Sequence, residues 1–509
     1  MRTRNSLLNI ISNCACYLIL MISGLILKKL FVDSLGMQCV GIDARFTDYV
    51  SILSIIELNL GISLIYKLYD PIANRDIERL SIILSFLKKS YIIIAICIVI
   101  LGIPFSFFAV HSIKEDYNKL WLLRMFLLYL ADSICSYFYY HKRVMIIANQ
   151  HSRVIGIIRS CCIAVLTVVQ IFILKIFKSF ELYIIAKIFS RIAENIFISI
   201  KFNKKYNVIN TNRKLSFSKE KKNEILQSIK AMLFHKVGAA GLNQISSVIF
   251  GLVSLSLLEN GIYSNYMLIV IALWGISSEF FRGILASFGN LLNTESKEKV
   301  EENFNVIFLI NFFIYSFFCS SFLCLVDPFM KIWISESGAC FGLYTTVLIV
   351  INLYIYGMRQ SIGMAKESAG IFVQDRYFPV LETIFNFSVS YFLTKKIGIS
   401  GVIIGSTVSS FITFFTYPFF VYKILFNKNP IKYYKKYFLY MIIAVIEAVI
   451  CYFSTKMFLF GSIFQQIAIN SIICLIIPNI MNIMIFYRTR EFSRVSSSVL
   501  SIYIKIRKG

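Results

Sequence analysis

The side chains with the greatest chemical potential in this sequence are charged groups inside long apolar segments. Moving a charge to the centre of a bilayer costs at least a few kcal/mol, so such a group persists only where it has a partner or a function. The basic residues in these segments are Arg45, Arg124, Arg159, Lys187, Arg191, Lys236 and Arg282. The acidic residues are Asp43, Asp48, Glu57, Asp132, Glu194, Glu279, Glu382 and Glu447.

Depth within a segment separates these candidates. Arg45 and Asp48 lie within about two turns of one end of their segment, and Lys236 lies within about two turns of an end of another. Arg124 is placed similarly. Long basic side chains near a helix end can extend to the membrane surface, so for this group an interfacial position competes with a functional one.

A cluster of charges on the fifth and sixth apolar segments fits an anionic ligand. Lys187, Arg191 and Glu194 recur at the spacing of one helix face, and Arg159 lies on the preceding segment. A planar guanidinium group donates two parallel hydrogen bonds to phosphate, which suits a diphosphate or an acidic sugar. The alternative is that Arg191 and Glu194 only pair with each other at the interface. The predicted cationic cavity is lined by Arg45, Arg159, Lys187, Arg191 and Arg282.

Two glutamates, Glu57 and Glu279, occupy matching positions in a weak internal repeat. Arg282 follows Glu279 by three residues, so the two side chains share a helix face and can pair. We interpret Asp48, Glu57 and Glu279 as coupling or gating groups. The alternative for the two glutamates is an interhelical clamp that closes an inner gate.

Motifs of hydrolytic, nucleotide-binding and metal sites are absent from the sequence. It contains no G-x-S-x-G, P-loop, H-E-x-x-H or G-x-G-x-x-G pattern, and its 4 His are scattered. The 12 Cys include no CxxC pair, so we predict no metal and no cofactor; Cys39 and Cys340 are the one pair to test for a disulfide. If the chain is a transporter, the lack of a nucleotide-binding motif leaves an H⁺ or Na⁺ gradient, the membrane potential or the substrate gradient as its source of energy.

Apolar helices must position these groups. The 509 residues are 58% hydrophobic and 16% charged, whereas about a quarter of a soluble domain is charged. A spanning helix needs about 20 apolar residues. We predict an all-α integral membrane protein with about fourteen transmembrane helices, over residues 7–30, 41–66, 90–111, 120–141, 154–174, 180–200, 231–257, 262–291, 304–326, 342–364, 377–396, 399–422, 437–459 and 462–486.

The distribution of positive charge sets the orientation. The net charge is +25, and with both termini in the cytoplasm most Lys and Arg fall on inner loops, above all on residues 201–230. This pattern favours contact with anionic membrane lipid rather than nucleic acid. It also predicts an even number of spans.

The repeat predicts two lobes. Gly41-Ile-Asp-Ala-Arg matches Gly261-Ile-Tyr-Ser-Asn, and Glu57-Leu-Asn-Leu-Gly61 matches Glu279-Phe-Phe-Arg-Gly283, each at an offset of about 220 residues. Six helices separate the copies, so both have the same orientation, as in transporters with parallel repeats. The predicted parts are a six-helix lobe, a basic linker, a second six-helix lobe, and two final helices with a basic tail, over residues 1–203, 204–230, 231–426 and 427–509.

Several different short motifs follow one another along the chain. They are Leu35-Gly36, Glu57-Leu-Asn-Leu-Gly61-Ile, Tyr69-Asp-Pro71, Pro328-Phe-Met-Lys-Ile-Trp333-Ile and Gly398-Ile-Ser-Gly-Val-Ile-Ile-Gly. Together they resemble the Wzx-type O-antigen and capsule flippases of the multidrug/oligosaccharidyl-lipid/polysaccharide superfamily. The resemblance covers the whole length, including the number of spans.

This resemblance implies that an undecaprenyl-diphosphate-linked oligosaccharide is translocated across a bacterial plasma membrane for surface polysaccharide assembly. It also implies alternating access between two lobes, with a polymerase and a chain-length regulator as partners. The related lipid II flippase uses arginines on its first, second and eighth helices. Here Arg45 and Arg282 fit the second and eighth, but the first has only Lys28 and Lys29 at its outer end, which argues against lipid II.

Three other functions remain open. A cation-coupled multidrug exporter of the same superfamily would favour an acidic, aromatic cavity. A membrane-embedded polysaccharide polymerase or ligase would need a long outer loop, whereas the longest predicted loop here is cytoplasmic. A scaffold would have no reason to bury bases in apolar helices. We therefore expect a transporter and not an enzyme.

Overall fold

The computed structural model describes residues 21–57, 60–149, 151–211, 245–334, 340–372, 374–458 and 462–497. In these ranges the chain is almost entirely helical and has no β-strand, as the lack of water in a bilayer requires. Several predicted features lie outside the described residues. They are residues 7–20 of the first span, Lys236 with residues 231–244 of the seventh span, residues 212–230 of the linker, and the end of the tail at 498–509.

The chain divides into two compact units, Met1–Ser264 and Asn265–Gly509, and the boundary falls within one long helix, α10. The lobe boundaries expected from the repeat stay a prediction. The helices that begin in unit 1 are α1 (21–35), α2 (Met37–Leu53), α3 (Leu60–Ala73), α4 (Ile77–His111), α5 (Lys119–Tyr137), α6 (Tyr140–Ala148), α7 (Ser152–Phe172), α8 (Phe180–Lys205), α9 (245–253) and α10 (Leu257–Thr294).

Unit 2 contains a second set of helices. Among them α11 packs against α12, α16 and α17. The helices are α11 (Lys297–Trp333), α12 (Leu343–Ser368), α13 (Phe378–Ile397), α14 (Ile399–Ser409), α15 (Phe411–Val421), α16 (Ile431–Lys456), α17 (Ile463–Phe486) and α18 (490–497).

Nine helical segments among the described residues are long and apolar enough to cross a membrane, so the chain is a multi-pass membrane protein. All nine coincide with predicted spans. Helices α8 and α13 coincide with two more, but each carries several charged residues. The nine are Ile77–His111, Lys119–Tyr137, Arg153–Phe177, Leu257–Thr294, Lys297–Trp333, Leu343–Ser368, Ile399–Phe426, Ile431–Lys456 and Ile463–Phe486.

Three predicted spans are divided in the structure. The fourth runs past the end of α5 at Tyr137 into α6, which begins at Tyr140. The second is interrupted after α2 by a 3₁₀ turn, Ser54–Glu57. The twelfth divides at Ser410, between α14 and α15, where Ser409 Oγ donates to Ser406 O at 2.9 Å and Ser410 Oγ donates to Thr407 O at 2.7 Å. Hydroxyl bonds to the preceding turn compete with the helical ladder and bend helices, which accounts for this division.

Small residues fix α13 against α14. A Cβ atom on Gly401 would lie 2.3 Å from the backbone nitrogen of Thr394, and one on Gly405 would lie 2.7 Å from Cα of Ser390. The two glycines have the GxxxG spacing that lets membrane helices approach closely. This contact holds the Glu382-bearing helix beside the turn at Ser410.

Aromatic packing fixes the helices of unit 1 that carry the charged residues. The Phe46 ring on α2 meets Phe126 edge-on at 5.4 Å and Tyr129 at 5.9 Å, both on α5. The Phe31 ring on α1 meets Phe180, at the start of α8, at 5.0 Å. Edge-to-face pairs prefer specific geometry, so they hold these four helices in register.

Candidate functional site

Asp132 on α5 lies between two bases of α8. Its carboxylate oxygens are 3.5 Å from Lys187 Nζ and 3.4 Å from Arg191 Nε. Lys187 and Arg191 are four residues apart, so both point from one face of α8 toward α5, against which α8 packs. A carboxylate between two cations leaves one positive charge uncompensated at this level.

Glu194 continues the cluster one turn farther along α8. Its carboxylate accepts a hydrogen bond from Arg143 Nη2 of α6 at 2.6 Å and is 3.9 Å from Arg191 Nη1. The predicted alternative, a pairing of Arg191 with Glu194, therefore occurs, but Arg191 also contacts Asp132 and is not neutralised by Glu194 alone.

Asp43 on α2 closes the other end of the cluster. It accepts hydrogen bonds from Tyr129 Oη at 2.5 Å and from Lys28 Nζ of α1 at 3.2 Å. The ammonium group of Lys187 lies 5.6 Å from the centre of the Tyr129 ring, within the range of a cation–π contact. Tyr129 thus connects Asp43 to Lys187.

Arg159 on α7 completes the set. It forms no hydrogen bond or ion pair with the residues that the structure describes, and it is exposed. Its guanidinium group nevertheless lies within electrostatic range of Glu194, Arg191 and Arg143, which places it near this cluster. Arg159 is therefore the base of this set that is best placed to bind a ligand.

We call this set the charge ladder. Its five bases and three carboxylates give a net charge of +2. The side chains of Lys187 and Arg191 are 31% and 28% exposed, whereas those of Asp132 and Glu194 are 11% and 4% exposed. At α8 the two cations are therefore more exposed than the carboxylates they contact, whereas at the other end of the set Asp43, at 25%, is more exposed than Lys28, at 14%. The ladder consists of Lys28, Asp43, Lys187, Asp132, Arg191, Glu194, Arg143 and Arg159.

Arg45 on α2 lies outside the ladder and is fully buried. Its Nη1 donates to the carbonyl of Ser112 at 3.0 Å, just after α4, and its Nη2 donates to the carbonyl of Leu255 at 3.0 Å, just before α10. In this conformation Arg45 ties two chain segments of unit 1 to α2, and its part in substrate binding stays a prediction.

The predicted gating groups in unit 1 also have partners. Asp48 accepts a hydrogen bond from Ser247 Oγ of α9 at 2.5 Å. Glu57 accepts one from Tyr91 Oη of α4 at 3.5 Å. Both carboxylates thus join different helices of unit 1, and their role in gating stays a prediction.

The pairing predicted for Glu279 and Arg282 is confirmed in unit 2. Arg282 Nη1 is 2.8 Å from Glu279 Oε1, one turn away on α10. The Arg282 side chain is 68% exposed, so the ion pair leaves part of its guanidinium group accessible to a ligand.

A second cluster, around the base Arg359 in unit 2, is absent from the predicted site. Arg359 Nη1 of α12 donates to Glu382 Oε1 at 2.9 Å and to Thr413 Oγ1 at 2.6 Å. Its guanidinium group lies 4.6 Å from the centre of the Tyr356 ring and 5.8 Å from that of Tyr417. We call these five residues the arginine–tyrosine cluster. It joins α12, α13 and α15.

The same face of unit 2 holds another buried pair. Lys366, near the end of α12, forms an ion pair with Asp375, and both side chains are buried. The Lys366 ammonium group also lies 4.1 Å from the centre of the Tyr417 ring. These contacts satisfy both charges within the protein, so the pair is structural in this conformation.

The cysteines show no disulfide in the described part of the chain, where Cys39 and Cys340 are both free thiols. The described ranges also contain no group of three or more His, Cys, Asp or Glu residues placed to hold a metal ion.

Similarity to solved structures follows the fold and not the sequence. No family model and no curated protein matches this chain. The solved structure of the lipid II flippase MurJ in an inward closed conformation has a TM-score of 0.70 at 14% identity, over 94% of this chain and 99% of that one. This chain has the fold of the MOP-superfamily transporters.

Multidrug transporters of the same superfamily are also similar. An inward-facing MATE transporter has a TM-score of 0.57 at 16% identity, over 81% of this chain and 98% of that one. A mutant of the Vibrio cholerae MATE transporter VcmN has a TM-score of 0.56 at 14% identity, over 84% and 98%. These structures share the fold of this chain, and the superfamily and substrate expected from the sequence motifs stay predictions.

Proposed function

We propose that this protein is a flippase that moves an undecaprenyl-diphosphate-linked oligosaccharide across the bacterial plasma membrane by alternating access. The repeat unit would be used for O-antigen, capsule or exopolysaccharide assembly. Both termini would be cytoplasmic, and a polymerase and a chain-length regulator would act after it. The substrate crosses without chemical change, so no catalytic residue is assigned.

One observation carries this proposal: the charge ladder has an excess of cations, and Lys187 and Arg191 are more exposed than the carboxylates they contact. A charged cluster in an apolar bundle is costly unless its charge is compensated. Carboxylates compensate part of it, and an anionic ligand would compensate the remainder. The fold of a lipid II flippase supports a lipid-linked ligand, whose diphosphate carries the required negative charge.

The residues of the ladder have distinct parts in this proposal. Arg159 and Arg191 would bind the diphosphate, because guanidinium groups hold phosphate oxygens with two hydrogen bonds. Lys187 would add a point charge beside them. Arg45 and Arg282 remain proposed as further contacts. The prenyl chain would stay in lipid while the head group moves.

The energy source is also part of the proposal. Asp48, Glu57 and Glu279 are proposed to couple transport to an H⁺ or Na⁺ gradient or to gate the cavity. Asp48 and Glu57 have partners on other helices, Ser247 and Tyr91, which movement of a helix would release. Glu279 pairs with Arg282 on its own helix, where a ligand that binds Arg282 would compete with it.

A cation-coupled multidrug exporter is the second candidate. It is favoured by the similarity in fold to MATE transporters and by the acidic and aromatic pair of Asp43 with Tyr129. The cation excess of the ladder argues against it, because an organic cation would be repelled by the accessible bases.

Reconstituted vesicles test the proposal. The purified protein is expected to move an undecaprenyl-diphosphate-linked oligosaccharide between leaflets, measured as the loss of glycan accessible to an added glycosidase. The same glycan on an uncharged polyprenol is the control and should move no faster than in protein-free vesicles. Movement of the two lipids at equal rates, or of an organic cation in their place, would contradict the proposal.

A further inference from the structure

A seam of small polar side chains runs through the interface of three helices in unit 2. Helix α11 packs against α16 and α17, which also pack against each other. On α11 and α16 the polar positions recur every four residues, so they share one helix face. All are buried in the protein. We call them the polar seam: Ser316, Ser320 and Cys324 of α11, Glu447, Cys451 and Thr455 of α16, and Asn470, Cys474 and Asn482 of α17.

The members of the polar seam contact one another across helices. Asn482 Nδ2 donates to Ser316 Oγ at 2.9 Å, which joins α17 to α11. Cys474 Sγ donates to the carbonyl of Ser320 at 3.9 Å. Cys324, Cys451 and Cys474 form one buried cluster from the three helices. The seam is therefore continuous packing and not a set of isolated polar residues.

Glu447 is the only ionisable carboxyl group of the polar seam, and it is 0% exposed. Both of its carboxyl oxygens are buried and have no hydrogen-bond partner among the described residues. Ser316 lies beside the carboxyl group, but its hydroxyl donates to the carbonyl of Phe313 at 3.3 Å. The amide of Asn482 donates to Ser316 through Nδ2, and its Oδ1 is likewise buried without a donor among the described residues.

No basic group compensates Glu447 in the described structure. Helix α17 contains no charged residue, and its titratable group on the seam is Cys474. From α11 the titratable group near Glu447 is Cys319. On α16 itself the nearest charged residues, Lys456 and Lys436, lie at least about 13 Å away along the helix axis.

A carboxylate in this position would be a buried charge without a partner, which proteins avoid by neutralising the group. A proton on the carboxyl group removes the charge. It also adds a donor to a region where two acceptors, Glu447 and Asn482 Oδ1, lack one. We propose that Glu447 is a proton-binding site of unit 2, occupied in this conformation, with Ser316 and Asn482 as its polar lining.

Proton binding at this site is linked to helix packing. Loss of the proton leaves a charge that water must reach, so α16 and α17 must separate locally from α11. Rebinding of the proton allows them to close. The inference depends on the packing of these three helices and not on the proposed substrate.

Glu491 provides a matched control. It lies on α18, outside the spanning helices, and accepts a hydrogen bond from Lys436 Nζ at 2.6 Å. Burial would raise its pKa, but the hydrogen bond and the charge of Lys436 outweigh burial and lower the pKa. Its contribution to stability is present above the ordinary pKa of a glutamate, about 4.3, and is lost as the pH falls further. The contribution of Glu447 to stability changes with pH in the opposite direction. It is lost as the pH rises, because the neutral form of Glu447 is the one that tolerates burial.

Infrared spectroscopy and thermal unfolding of the purified full-length protein test the proposal. At neutral pH the wild type should show the band of a protonated carboxylic acid, which Glu447→Gln lacks and Glu491→Gln keeps. Relative to the Tm of Glu447→Gln, the Tm of the wild type should fall by several degrees as the pH rises from about 4.3, the ordinary pKa of a glutamate, to above neutrality. Because the infrared band is measured in the wild type, the test does not depend on the variant's folding.

Two results would overturn the proposal. One is the absence of a protonated carboxyl band from the wild type at neutral pH. The other is a Tm that depends on Na⁺ concentration in the wild type but not in Glu447→Gln, at constant pH, because the site would then hold sodium and not a proton.

Discussion

Replacing Arg159 with glutamine is expected to lower translocation of the lipid-linked oligosaccharide at least about tenfold. A hydrogen bond to a charged group contributes about 1.5–3 kcal/mol, which corresponds to roughly 10- to 100-fold in an equilibrium. Because Arg159 has no hydrogen-bond or ion-pair partner among the described residues, its loss should leave the Tm unchanged. The rate is measured in the vesicle assay, and surface polysaccharide is measured in cells at equal protein level.

Arg124→Gln is the matched control. Arg124 is a base of unit 1 on α5, 66% exposed, and it lies 3.7 Å from Glu181 and outside the charge ladder. It should transport at the rate of the wild type. Equal losses in both variants would indicate that the total charge of unit 1 matters and not the ladder. Normal transport by Arg159→Gln would remove Arg159 from the proposed site.

Replacing Arg359 with leucine is expected to destabilise the protein by about 3–5 kcal/mol, because removal of one partner leaves the other as an unpaired buried charge. The partner is Glu382, whose side chain is 1% exposed. Thr413 also loses its contact with the guanidinium group, at the turn that divides α14 from α15. The change is measured as a fall in Tm of the purified protein.

The double variant Arg359→Leu, Glu382→Leu separates the loss of the pair from the burial of one charge. It should recover most of the lost stability, since a buried ion pair can often be replaced by apolar residues at little cost. A double variant no more stable than Arg359→Leu would show that the contacts with Tyr356 and Tyr417 hold the cluster together, and not the pair.

The spacing of residues along the sequence predicts those parts of the site that lie on a single helix. Lys187, Arg191 and Glu194 were expected on one face of α8, and Glu279 with Arg282 on one face of α10, because helix periodicity fixes both. Apolar length likewise located the nine spanning segments. These are short-range properties of the chain.

Contacts between different helices could not be predicted from the spacing of residues along the sequence. Nothing in the sequence places Asp132 between Lys187 and Arg191, or Arg143 beside Glu194, because the partners lie on different helices. Arg143 and Arg359 are not among the predicted site residues, and each lies near the end of an apolar segment. A signal was present for Arg359: Glu382 lies in an apolar helix and needs a cation.

Arg45 illustrates the limit of an argument from depth. Its type and position fitted both an interfacial side chain and a cavity residue. The structure shows a fully buried guanidinium group bound to two carbonyl oxygens, which neither reading required. Carbonyl groups at chain turns are acceptors that no pattern of side chains reveals.

The central claim is that the charge ladder recognises a negatively charged head group. Equilibrium binding of two lipids tests this claim most directly. One is an undecaprenyl-diphosphate-linked oligosaccharide and the other carries the same glycan on an uncharged polyprenol. The wild type in detergent should bind the diphosphate lipid at least about tenfold more tightly, and Arg159→Gln should lose most of that preference. Equal affinity of the wild type for both lipids would contradict the account.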